Sequence, residues 1–361
     1  MRGAVLHTSP GELVVENLTV DKPHPNEVLI STTYAGLCHS DLHFMDGHWA
    51  VPAPMVMGHE SAGVVEAVGD DVTYVEPGDH VITCVSMWCG ECRPCLSGKP
   101  YMCAHGDALR NGRPAPSHRF EDGRPCATMA GLGSFAEEML VHERAVVKIR
   151  NDMPLDRASL IGCGVTTGLG AVMRTAAVPA GSSVVVIGCG GIGLSAVQGA
   201  RIVGATPVIA VDVLDSKLEM ARTLGATHTI NASETDPVGE VQEITGGGAD
   251  FSFEAIGLSA TAEQSWQMIG PGGTATIIGM LPMGSQVSIP GPEIFMKEKK
   301  LQGSLMGSNR FRIDMPKFID LYLDGRLMLD EMVSATIGIH EVNAGYADMK
   351  AGKTLRSVIK F

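Results

Sequence analysis

The sequence predicts an α/β protein in two parts: a β-rich first region, then a doubly wound parallel sheet. Short apolar runs alternate with helical patterns after Ile161. A glycine string, Gly188-Cys189-Gly190-Gly191-Ile192-Gly193, sits between a strand pattern and a helix pattern. The first region instead holds β-branched segments punctuated by Gly and Pro, with most of the cysteines.

Glu27–Thr33 and Gly63–Val68 alternate or are β-branched and read as strands, and Val81–Thr83 follows the turn Glu76-Pro77-Gly78-Asp79. His105–Gly131 is rich in Gly, Pro, Arg and Asp and reads as a long solvated loop or lobe; Arg110, Arg113, Arg119 and Arg124 interleave there with Glu121 and Asp122. Ser183–Ile187 is a continuous apolar run, as expected of a strand buried on both faces. Leu194–Val203 reads as a helix, Pro207–Val211 as a strand, and Ser216–Leu224 as a helix stopped by Gly225. Phe251–Ala255 and Thr274–Ile278 are further strands. The pattern breaks near Gly303, and Thr354–Phe361 is a strand-like tail that could return to the first region.

Composition limits the function. The 361 residues suffice for two domains, and 40 acids against 27 bases give a net charge of −13. A nucleic-acid partner needs a basic face, so none is expected. The first twenty residues lack a long apolar core and a small-residue cleavage site, and no apolar run is long enough to cross a bilayer. No membrane partner is expected, and the cytoplasm is the expected compartment. The spacing of the nine cysteines favours metal thiolates over disulfides.

The glycine string satisfies G-x-G-x-x-G in the context that gives it meaning. Gly188 allows the tight turn, Gly190 lets the backbone approach a pyrophosphate, and Gly193 lets the helix pack close to the strand. Gly191 and Ile192 open the helix, whose free N–H groups face the phosphates. Asp212 follows at the end of the next strand. Its carboxylate would accept from the ribose hydroxyls and repel the 2′-phosphate of NADP, so NAD is expected; a simple turn-capping role is the alternative. Lys217 either donates to the same ribose or is a solvated helix lysine.

Cys89, Cys92, Cys95 and Cys103 are spaced C-x2-C-x2-C-x7-C, which can close a tetrahedral structural zinc site. Elsewhere lie Cys38-His39-Ser40-Asp41-Leu42-His43, Gly58-His59-Glu60 and Cys163. From spacing alone, a lone cysteine is as well read as a small core hydrophobe, and a lone histidine as a satisfied polar group.

Several strings together carry a resemblance: GHESAGVVEAVG, the four-cysteine lobe, IGCGVTTGLGA, GCGGIGLSAVQGA with VDVLDSK, ADFSFEAIG and TLRSVIKF. The chain resembles the zinc-dependent medium-chain alcohol dehydrogenases over essentially its whole length. The resemblance implies a GroES-like catalytic domain (1–164), a Rossmann domain (165–305) and a C-terminal completion of the catalytic domain (306–361). It implies Cys38, His59 and Cys163 as ligands of a catalytic zinc, with Glu60 as a neighbouring acid and Asp41 orienting the histidine. Ser40 and His43 resemble a proton relay. His39 and Arg356 resemble pyrophosphate contacts, and Thr167 with Ile278, Gly279 and Met280 the nicotinamide lining. The lobe cysteines match a structural zinc, for two zinc ions per chain; Cys84, Cys126 and Cys189 match no ligand position and are expected to be ordinary thiols.

The activity implied is reversible NAD-dependent oxidation of a primary or secondary alcohol to an aldehyde or ketone. Trp49 and Val85 resemble substrate-pocket positions. Relatives that oxidise glutathione adducts of formaldehyde carry an acid where this chain has Trp49, which speaks against that activity. Val85 replaces an aromatic and leaves room for aryl or branched alcohols. A homo-oligomer is expected, a dimer favoured and a tetramer the alternative. Other readings are an aldehyde or ketone reductase, a relative that never releases its nicotinamide, a non-catalytic zinc protein, and a zinc-free quinone reductase; the last usually lacks both cysteine sets.

Overall fold

The structure, a computed structural model, describes residues 1–49, 52–110, 112–113 and 115–361. It divides into two compact units: Met1–Cys163 with Arg310–Gly325 and Leu329–Phe361, and Gly164–Asn309 with Arg326–Met328. The sequence reading put the breaks after 164 and 305. Two contacts draw the extra residues into the second unit. A Cβ on Gly170 would lie 2.4 Å from the Gly307 carbonyl oxygen. Gln198 both donates to Met328 O and accepts from Met328 N–H.

The second unit is built on a six-stranded parallel sheet: Val184–Ile187, Val208–Asp212, His228–Asn231, Ala249–Glu254, Ile269–Ile277 and Lys300–Gly303. Numbered along the chain, these strands lie in the order 3-2-1-4-5-6. The direction of winding reverses between the first and fourth, where doubly wound sheets bind ligands at the carboxyl ends of their strands. Val184–Ile187 is buried throughout, which is why it reads as an uninterrupted apolar run; Val208–Asp212 is buried throughout as well and is apolar up to its terminal Asp212. The glycine string links Val184–Ile187 to the helix Gly191–Val203, which Gly204 ends in the left-handed conformation.

In the first unit, a closed barrel runs through Arg2–Leu6, Leu13–Val20, His118–Phe120, Pro125–Thr128 and Met55–Val56. A seven-stranded sheet holds Glu27–Gly36 at its centre, paired with Ser61–Val68, Glu138–His142 and the C-terminal strand Arg356–Lys360. The tail thus returns to the first unit, as its β pattern predicts. One core cluster, including Leu37, Leu42, Met57, Phe135 and Tyr346, gathers under the helix His39–Met45.

The segment from His105 to Gly131 corrects the expectation of a solvated loop. It contributes the helix Gly106–Arg110 and two barrel strands, with His118 and Cys126 fully buried. Arg113 is mostly buried and pairs with both Glu27 and Asp21. The strands are only three and four residues long; they pair with each other, but their other partners, Leu13–Val20 and Met55–Val56, are distant in sequence, so local composition hides them.

Candidate active site and metal centres

Cys38, His59, Glu60 and Cys163 are all buried, and one ligand atom from each lies within 4.8 Å of every other. Each is delivered by a different local device. Cys38 is the extended residue that opens the helix His39–Met45, and Asp41 in its first turn accepts the Cys38 N–H at 3.2 Å. His59 follows Gly58, which has φ +87; a Cβ there would lie 2.5 Å from Phe135 Cδ1 and 2.6 Å from Ser134 Oγ. Only glycine fits that corner. Cys163 lies in a π-helical turn, Ile161–Val165, a geometry that recurs at functional sites.

The imidazole is oriented. His59 Nδ1 lies 3.0 Å from Asp41 Oδ1, leaving Nε2 for a metal. Asp41 is fully buried, and its Oδ2 also accepts the Tyr346 hydroxyl at 2.7 Å. Burial and the Asp41 carboxylate push Tyr346 well above its usual range, so the phenol keeps its proton. Burial opposes a charged His59, yet Asp41 and Cys38 outweigh it and raise its pKa. Hydrogen bonding between Cys163 and Cys38 leads the causes that lower Cys38 and raise Cys163. Glu60 Oε1 pairs with Arg356 Nη2, while Glu60 Oε2 finds no partner among the described residues.

This donor set fits a divalent cation. Two adjacent sulfurs, one held below and one pushed above the usual thiol range, an imidazole aimed by a carboxylate, and an orphaned buried carboxylate oxygen all gain from positive charge at their common centre. The lobe fits as well. Cys89, Cys92, Cys95 and Cys103 also have their ligand atoms within 4.8 Å of one another. The sulfurs of Cys92 and Cys95 are 3.4 Å apart, and those of Cys89–Cys95 and Cys92–Cys103 are 3.9 Å apart. A zinc tetrahedron with bonds of about 2.3 Å has edges of about 3.8 Å, whereas a disulfide needs about 2.05 Å. Backbone N–H groups of Cys89 and Cys92 point at the sulfurs of Cys103 and Cys89, which suits thiolates.

The remaining expected residues fall as follows. Ser40 Oγ lies 3.6 Å from Cys38 Sγ. His43 is partly buried, its ring 5.7 Å from that of His48; burial, then His48, lowers its pKa. His39 is exposed in the first turn of its helix. Arg356 is buried with one nitrogen committed to Glu60, so an anion contact would use its other donors. Trp49 is partly buried, and its indole N–H finds no partner among the described residues. Val85 is partly buried, its carbonyl accepting from Arg110.

In the second unit, a Cβ on Gly193 would lie 1.7 Å from the Gly188 carbonyl oxygen, whereas one on Gly190 would meet nothing within 4 Å. The first position closes helix against turn; the second leaves open space beside the backbone. Asp212 does cap its own turn, accepting from Cys189, Val213 and Leu214 N–H, and Lys217 Nζ stands 3.9 Å from its Oδ2. Thr167 is buried, its hydroxyl 3.5 Å from Met306 Sδ. Ile278 and Gly279 N–H both donate to Glu254 O, and the Met280 backbone abuts Gly257.

Cys84, Cys126 and Cys189 are buried free thiols; burial raises Cys84 to about 11 and Cys126 to about 12. Two buried residues next to expected positions carry no role in the sequence reading. Glu254, at the end of its strand, is fully buried and accepts from Ile256 N–H, Gly257 N–H and the Thr261 hydroxyl, and its backbone oxygen receives Ile278 and Gly279 N–H; an acid closing the segment Phe251–Glu254 is the available signal. Tyr346 carried no signal, because its partner is 305 residues away.

Residues 24–151 match the alcohol dehydrogenase GroES-like domain family, and residues 191–324 the zinc-binding dehydrogenase family. The chain is 41% identical to an NDMA-dependent alcohol dehydrogenase of Amycolatopsis methanolica, over 99% of this chain and 98% of that protein. It is 37% identical to an S-(hydroxymethyl)glutathione dehydrogenase of Paracoccus denitrificans, over 100% and 99% of the two. The solved benzyl alcohol dehydrogenase of Acinetobacter calcoaceticus superposes with a TM-score of 0.93 at 32% identity, covering 100% of this chain and 99% of that one. With its GroES-like and Rossmann-type domains, the chain belongs to the zinc-dependent medium-chain alcohol dehydrogenases and is an alcohol oxidoreductase.

Proposed function

We propose that the chain interconverts a primary or secondary alcohol and its aldehyde or ketone, using NAD as hydride carrier and two zinc ions. The observation that carries this reading is the convergence of Cys38, His59 and Cys163 on one buried point, with Glu60 beside them. Zinc held there supplies Lewis acidity to the substrate oxygen. The lobe cysteines hold the second zinc, which has a structural role. The glycine string would hold NAD, which would supply the hydride acceptor.

The chain's own residues do the rest. Asp41 fixes the ring of His59 and so the direction of Nε2. Ser40, next to Cys38, takes the hydroxyl proton, and His43 passes it to solvent. His43 suits that task because burial and His48 keep it neutral, and therefore able to accept a proton, at neutral pH. Thr167 and Ile278–Met280 line the nicotinamide; His39 and Arg356 meet the pyrophosphate. Gly188, Gly190, Gly191, Ile192 and Gly193 cradle it, and Asp212 with Lys217 takes the ribose. Trp49 and Val85 shape the alcohol pocket, and the smaller Val85 favours aryl or branched substrates.

A homodimer in the cytoplasm is the assembly we favour. The edge strand Lys300–Gly303 leaves Leu301 exposed, beside exposed Ile294, Phe295, Met296 and Leu305. Such an edge is ready to pair with a second copy.

The experiment is a steady-state assay of the purified, zinc-replete protein. NAD+ is offered with a panel of alcohols, and NADH with the matching aldehydes and ketones. NDMA is included as an alternative acceptor, because the name of the Amycolatopsis relative singles it out. NADH formation with aryl or branched alcohols is expected. Absence of turnover with every alcohol and carbonyl would overturn the proposal; turnover with NDMA alone would favour the alternative in which nicotinamide is not released.

A further inference from the structure

We infer that Tyr346 is a positioning residue for the catalytic metal, acting through Asp41 on His59. The inference rests on the zinc reading proposed above and extends it to the C-terminal helix Val342–Lys350.

Three donors hold the Asp41 carboxylate. His59 Nδ1 meets Oδ1 at 3.0 Å, while Cys38 N–H and the Tyr346 hydroxyl meet Oδ2 at 3.2 Å and 2.7 Å. The Cys38 N–H belongs to the same turn as Asp41 and moves with it. Tyr346 comes from a separate element and gives the shortest of the three contacts. It is therefore the external anchor that stops the carboxylate from rotating away from the imidazole. The phenol gives this fully buried carboxylate one hydrogen-bond proton.

The ring contributes independently. Tyr346 packs against Phe135, with centroids 6.3 Å apart and planes tilted by 54°. Phe135 in turn fills the space where a side chain on Gly58 would stand, 2.5 Å from that missing Cβ. Gly58 precedes His59. One side chain thus braces the histidine twice, through the carboxylate that orients its ring and through the aromatic that fixes its backbone corner. The helix also approaches the chain just before Cys38, since a Cβ on Gly345 would lie 2.8 Å from Leu37 Cδ2.

The test is Tyr346→Phe in the full-length holoprotein, which removes one oxygen and keeps the ring. Zinc is exchanged for cobalt in the wild type, in Tyr346→Phe and in Cys163→Ala. The difference between wild-type and Cys163→Ala spectra isolates the active-site absorption. Tyr346→Phe should shift that absorption and release active-site metal to a chelator on the order of tenfold faster, while lobe metal leaves at the wild-type rate. In an Asp41→Asn background the same change should add nothing further. A wild-type absorption and release rate in Tyr346→Phe would overturn the inference, whatever the melting temperature. Additive effects with Asp41→Asn would overturn the route through Asp41. If Cys163→Ala removed no cobalt absorption, the zinc reading itself would fail, and the inference with it.

Discussion

Gly190→Ala separates cofactor binding from folding. Gly190 has φ −83 and ψ −170, a conformation open to alanine, and its Cβ would meet no atom within 4 Å. The folded protein should accept the methyl group. Replacing glycine in a compatible conformation stabilises by about 0.4–1 kcal/mol through the unfolded chain. The melting temperature without cofactor should hold or rise by about 2 °C. On the proposed reading, the same methyl group would stand in the space that the pyrophosphate takes. Losing one charge-assisted hydrogen bond from the backbone costs about 1.5–3 kcal/mol, which is roughly 10- to 100-fold in affinity. Titration calorimetry with NAD+ reads the affinity, and calorimetric melting reads the stability. Gly193→Ala is the contrast, since its methyl carbon would sit 1.7 Å from the Gly188 oxygen and the turn must open. That variant should lose stability as well as affinity. Wild-type NAD affinity in Gly190→Ala would refute the cradle. A melting temperature lowered as far as that of Gly193→Ala would refute the free space.

Asp212→Gly should weaken NAD and relax discrimination against NADP, read as the ratio of kcat/KM values; an unchanged ratio would remove Asp212 from the ribose site. The same variant should melt lower, because the buried Cys189 loses the acceptor of its N–H, at a cost of about 1–3 kcal/mol. Cys95→Ala should lose one zinc and melt lower; an unaltered melting point and metal count would deny the lobe its structural role. In the wild type, lobe zinc should leave for a chelator more readily as pH falls, since each sulfur must shed its proton to bind; retention independent of pH between neutrality and pH 5 would argue against thiolate ligation.

The parallel sheet was legible because burial on both faces writes itself as an apolar run, as at Val184–Ile187. The lobe was legible because its four sulfurs lie within fifteen consecutive residues. Cys38 and Cys163 are 125 positions apart, and no local rule brings them together. Family resemblance supplied that pairing, and the buried cluster of ligand atoms gives it a physical basis. The barrel strands His118–Phe120 and Pro125–Thr128 read as loop from sequence because they are short and are secured by pairing with the distant Leu13–Val20 and Met55–Val56 as well as with each other, not by their own composition. The helix Phe311–Leu323 escaped notice because Pro316 interrupts its pattern. Asp212 shows why alternatives coexist: its carboxylate caps a turn, and that role leaves the proposed ribose contact open to the same group.

Native mass spectrometry of the intact chain and of Cys38→Ala tests the two-centre account most directly, because it counts bound ions without relying on turnover. The account predicts two zinc ions in the wild type and one in the variant, with the remaining ion lost when a lobe cysteine is also replaced. A single zinc in the wild type, or two retained after Cys38→Ala, would contradict it.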